Sequence, residues 1–95
     1  MNPEFIKRMK KLQKELEQKQ AELENKEFTV EKQGITVTMK GNFQVLSINI
    51  DESLVDPEDK DIIEDLILIT MNEIIDLIKE EQEKISPQTP SGLGF

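Results

Sequence analysis

A chain of 95 residues carrying a formal net charge of −8 makes one small domain, near the lower end of usual domain size. It contains no Cys, His, Trp or Tyr, which excludes a disulfide framework, thiolate or imidazole metal sites, and the commonest catalytic nucleophile and base. The longest apolar run, Leu66 to Ile69, is far too short to span a bilayer, and Met1–Glu4 opens a charged helix without a hydrophobic leader, so no membrane partner and a cytoplasmic location are expected.

The first element is a helix. Asn2 suits the N-cap, Pro3 the first helical position and Glu4 the first turn. Phe5, Met9, Leu12, Leu16 and Leu23 recur at steps of four, three, four and seven, a heptad-like seam interrupted at Lys19 and Gln20. The helix should run to Lys26, roughly 36 Å. Lys7, Lys10, Lys11 and Lys14 fall within about 100° of one another opposite that seam, with Arg8 flanking them. Beyond Lys14 the face is mixed, and Glu15–Lys19 and Glu22–Lys26 have the spacing of stabilising helical pairs.

Three antiparallel strands should follow. Phe28 and Val30 alternate with polar residues, as do Ile35, Val37 and Met39, the pattern of half-buried strands. Gly34 marks the first turn, and Gly41-Asn42 suits a two-residue hairpin that needs a positive φ. From Phe43 to Ile50 the apolar phase changes, so a bulge is expected near Val45-Leu46.

The last element is the longest. Asp56 can cap a helix with Pro57 in its first position and Glu58, Asp59 and Asp61 on its positive end. Neither Gly nor Pro follows until Pro87, which predicts a helix from Pro57 to Ile85, roughly 43 Å long. A compact chain of this length is only about 30 Å across, so this helix must project or pair. Its apolar residues cover well over half the circumference, more than one sheet can bury. A second subunit should take the surplus, with Ile63, Ile67, Met71, Ile74 and Ile78 as the expected dimer interface. The fold class is α+β: helix, three-stranded antiparallel sheet, helix, over residues 1–86, with residues 87–95 a flexible tail rich in Pro, Ser and Gly.

The run Ile50-Asp51-Glu52-Ser53-Leu54-Val55-Asp56-Pro57-Glu58-Asp59-Lys60, followed by Glu64-Asp65-Leu66-Ile67 and Asn72-Glu73, resembles the YbaB/EbfC family of bacterial nucleoid-associated proteins. The order of elements and the charged first helix agree with it. Glu52 stands where that family usually has Pro, and Ile74 where it has Ala. The resemblance implies a tweezers-like homodimer in the nucleoid that binds duplex DNA with little sequence specificity and contributes to gene regulation, without enzyme activity or cofactor.

The charges fit a polyanion only locally. Residues 1–26 carry +2, residues 27–50 are neutral and residues 51–95 carry −10. The lysine ridge is therefore the candidate DNA-binding site, by phosphate contact and counterion release. The alternative is an acidic scaffold whose Asp61, Asp65 and Asp76 recruit a basic protein partner. Asp56, Glu58, Asp59 and Asp61 lack the spacing of a calcium loop and are accounted for by helix capping, so no metal site is expected.

Overall fold

A computed structural model of the chain describes residues 2–85. The elements run α1 (Pro3–Asn25), β1 (Glu27–Lys32), β2 (Ile35–Lys40), β3 (Val45–Ile50) and α2 (Lys60–Ile85). The three strands form one antiparallel sheet in the order β1-β2-β3. The α+β order read from the sequence is thus the observed one. The tail expected at 87–95 lies outside the described residues.

Period-two alternation sorts the sheet into two faces. Phe28 sits opposite Met39, Val30 opposite Val37, and Ile35 opposite Ile50, so these apolar residues share one face. The other carries Thr29 and Thr38, whose hydroxyls lie 3.2 Å apart. An antiparallel sheet with one solvated face needs cover only on its apolar side. α2 supplies it, laying Thr70, Ile74 and Ile78 on β1 and β2, where all three reach 0% exposure together with Ile35 and Val37. The Thr70 hydroxyl escapes an unsatisfied burial by donating to the Leu66 carbonyl one turn back, at 2.6 Å.

The turns differ in their reasons for glycine. Gln33 and Gly34 both have positive φ, 49° and 97°, as a two-residue turn matched to strand twist requires. Gly41 does not follow that reasoning. The second hairpin has a four-residue connection, and the positive φ falls on Phe43, at 69°. Gly41 is instead held by contact: a Cβ there would stand 1.8 Å from the Leu23 carbonyl oxygen, while its N–H donates to the Lys26 carbonyl at 2.9 Å. The end of α1 rests directly on the hairpin.

The bulge expected in β3 is present. Thr38 pairs with Ser47 and Met39 with Val45, which leaves Leu46 as the extra residue and restores Val45, Ile48 and Ile50 to the apolar face. Asp56 caps the approach to α2 by accepting from the Glu58 N–H at 2.9 Å. The turn it caps, Pro57–Asp59, is a tighter 3₁₀ turn, so the α-helix begins at Lys60 rather than Pro57.

The chain is far from spherical. Its radius of gyration is 19.3 Å and its principal extents are 69 × 28 × 15 Å, where a compact domain of this length would have a radius near 12 Å. The length comes from α1. Leu23 is buried at its C-terminal end and Leu16 is half-buried, whereas residues 3–15 are exposed throughout. α2, at 26 residues or roughly 39 Å, also exceeds the 28 Å breadth of the molecule.

Candidate nucleic-acid interface

The basic ridge is built by the cap and the helix that follows it. Asn2 accepts the Glu4 N–H at 2.9 Å, and Pro3 starts the first turn, which fixes the phase of everything downstream. Lys7, Lys10, Lys11 and Lys14 then line one side of the projecting arm, all exposed, with exposed Arg8 beside them. Among the described residues these five cations take part in no ion pair.

The arm's opposite side is apolar and bare. Phe5, Met9 and Leu12 are 57%, 52% and 54% exposed. The same stripe is core at Leu23 and solvent-facing ten residues earlier. Neither intrahelical pair expected on this helix, Glu15–Lys19 or Glu22–Lys26, is formed; the Lys26 ammonium lies 5.1 Å from the centre of the Phe28 ring.

The body carries the opposite charge. Asp61, Asp65 and Asp76 are exposed along α2. Lys32 ties the end of β1 to α2 through Glu73 at 2.9 Å. Lys84 donates to Glu81 at 2.7 Å, which holds the Glu81 carboxyl below and the Lys84 ammonium above its ordinary range. Asp51 is likewise held low by the Ser53 N–H and hydroxyl that it accepts at 2.9 and 2.8 Å. These are capping and surface contacts. No group of three or more carboxylates among the described residues is placed to hold a metal ion, and no described helix is long and apolar enough to cross a membrane.

The residues read as a dimer interface are divided by the structure. Ile74 and Ile78 are wholly covered by the chain's own sheet and have no surface left for a partner, because they occupy the stripe of α2 centred on β1 and β2. Ile63, Ile67 and Met71 lie at the rim of that core, half-buried. Sequence reasoning passed over β3, whose Val45 and Ile48 sit on the apolar face yet stay 41% and 47% exposed, because α2 does not reach across to them. The signal was available: Val45-Leu46-Ser47-Ile48-Asn49-Ile50 is an edge strand without a charge or a proline. Ile62, Leu68, Ile69 and Leu77 add further exposed apolar surface along α2.

Comparison with known proteins bears on this arrangement. Residues 1–93 match the model of the YbaB/EbfC DNA-binding family. A nucleoid-associated protein of Mycoplasmopsis pulmonis is 53% identical over 89 residues, 94% of this chain and 89% of the relative. Another, from Mycoplasma mobile, is 48% identical over 90 residues, 95% of this chain and 94% of its own length. An uncharacterized protein from Helicobacter pylori, known from its crystal structure, shares the fold with a TM-score of 0.70 at 18% identity, covering 90% of this chain and 92% of that one. With a family model matched over almost its whole length, and relatives near half identity spanning nearly all of it, this chain belongs to the YbaB/EbfC DNA-binding family.

Proposed function

We propose that the protein is a non-enzymatic, cytoplasmic homodimer that binds duplex DNA through Lys7, Lys10, Lys11 and Lys14, with Arg8 at their flank, and so contributes to nucleoid organisation and gene regulation. The observation that carries this reading is the placement of the ridge on an arm that projects clear of the acidic body. Screening limits exposed charges to about 8 Å at physiological salt. A phosphate meeting the arm's outer reach is therefore governed by the lysines rather than by the −10 of residues 51–95. Point charges of this kind contact phosphate without reading bases, which supports low sequence specificity.

Dimerisation is supported by surface that one chain leaves bare. Val45 and Ile48 on β3 adjoin a sheet face whose helix covers only β1 and β2, and an uncharged apolar edge strand is normally paired or covered. A second copy covers both this face and the rim residues Ile63, Ile67 and Met71. Ile48→Asp is expected to turn the dimer into a monomer in sedimentation equilibrium. A well-folded wild-type monomer at micromolar concentration would overturn the dimer.

The DNA claim is tested by changing all four ridge lysines to Gln, which retains helix propensity. Gel-shift affinity for random-sequence duplex should fall strongly. The slope of log affinity against log salt should flatten by about 0.9 for each phosphate that is no longer neutralised. An unchanged affinity would leave the ridge a solvated face and favour the acidic scaffold of Asp61, Asp65 and Asp76.

A further inference from the structure

The bare seam on α1 has no role in phosphate binding, and its geometry points to one. Phe5, Met9, Leu12 and Leu16 occupy alternating d and a positions of a heptad. In that frame Lys7, Lys10, Lys11 and Lys14 fall at f, b, c and f, the positions farthest from a coiled-coil partner. The seam joins the protomer's own core at Leu23 and then runs outward uncovered, with Phe5, Met9 and Leu12 all more than half exposed. Lys19, at the next d position, ends it toward the body.

We infer that the α1 arms of two copies pair antiparallel through Phe5, Met9, Leu12 and Leu16, and that the pair holds one DNA duplex on each outer face. Charge complementarity selects both occupant and direction. The residues flanking the seam on one side, at the g positions, are Arg8 and Glu15. Antiparallel helices bring g against g, so Met9 faces Leu12 of the other copy and Arg8 meets Glu15 twice, once in each direction. Parallel helices would set Arg8 and Glu15 against Gln13 and Gln20 and make no ion pair. The residues beyond Ile85 offer only Leu93 and Phe95 as large apolar groups for a seam of four. Antiparallel pairing turns the two lysine ridges outward in opposite directions. With only two heptads of seam the contact is weak alone and strengthens when DNA gathers the arms, since linked sites raise effective concentration. The bridging part of this inference rests on the ridge being the phosphate site; the arm contact itself does not.

The chain has no cysteine, so single introduced thiols report on contacts directly. Full-length Met9→Cys and Leu12→Cys proteins are mixed in equal amounts, oxidised mildly and weighed intact. The mixed disulfide is expected to exceed its statistical share. Like-with-like species at or above that share would overturn the antiparallel contact, as would efficient intrachain bonding in a Met9→Cys, Leu93→Cys double variant. Bridging is read by beads carrying one duplex and capturing a second, labelled duplex. Leu12→Glu, at an exposed site and with the ridge intact, should keep the single-duplex gel shift and lose capture. Capture equal to wild type would overturn the inference. If the four-lysine variant loses the gel shift and still forms the mixed disulfide, the arm contact stands independently of how DNA is held.

Discussion

The two helices are both amphipathic and similar in length, 23 and 26 residues, yet they are stabilised in different ways. α2 lies on a sheet that drives three of its side chains to zero exposure, so its position is fixed by packing. α1 is anchored only toward its C-terminal end, by Leu23 over Gly41 and by contact with α2, and its first thirteen residues are exposed. Isolated helices of about 12–15 residues are marginal in water. The exposed arm depends on its Asn2 cap, on continuity with the anchored end, and on whatever covers its seam. A helix face buried within one chain is spent on stability; one left bare is available for assembly.

The sharpest way to break the contrast is to make the same kind of truncation in both helices. Ile74→Ala should cost about 2–5 kcal/mol, because the cavity it opens lies among residues that cannot collapse. Leu12→Ala in the arm should stay within about 0.5 kcal/mol, as for other exposed substitutions. Denaturant midpoints measure both; similar losses at the two sites would mean that the arm is packed in solution.

The joint between the regions is the next test. Gly41→Ala pushes a methyl group into the Leu23 carbonyl, and the backbone there must move. A loss of about 1–3 kcal/mol is expected, the usual range for overpacking. Because the strain falls between α1 and the hairpin, limited proteolysis should cut near residues 20–26 before it attacks α2. Equal cleavage of both helices would show that the joint carries no special load.

The smallest effect concerns Asp51, which closes the end of the sheet through Ser53 rather than either helix. Its carboxyl is held low by the Ser53 N–H first and hydroxyl second. The folded state therefore favours the charged form, a contribution present above the ordinary carboxyl range and lost as pH falls through the lowered native value. The stability difference between wild type and Asp51→Ala should narrow on acidification from about pH 5 to pH 2. Since the group is fully exposed, the change is slight, and a difference that grows in acid would assign the cap to another group.

Much of this was legible in the residues. Alternation at Ile35, Val37 and Met39, the phase change around Leu46 and the caps at Asn2 and Asp56 each report local backbone chemistry, and each is where the sequence places it. The lysine ridge was legible for the same reason, since helical spacing alone puts Lys7, Lys10, Lys11 and Lys14 on one face. Local periodicity determines which residues share a face, and the family run from Ile50 to Lys60 determines the company this chain keeps.

Only the tertiary structure decided which faces meet. Ile74 and Ile78 look no different in sequence from Ile62 or Ile69, yet the first pair is sealed and the second exposed. The difference is the line along which α2 crosses the sheet. Gly41 reads as a turn glycine, and its requirement comes from a carbonyl eighteen positions earlier in the chain. β3 reads as an ordinary strand, and its bare apolar side follows from a helix that stops short of it. Coverage is a property of two surfaces at once, and a periodic pattern along one segment carries no information about how far its neighbour reaches.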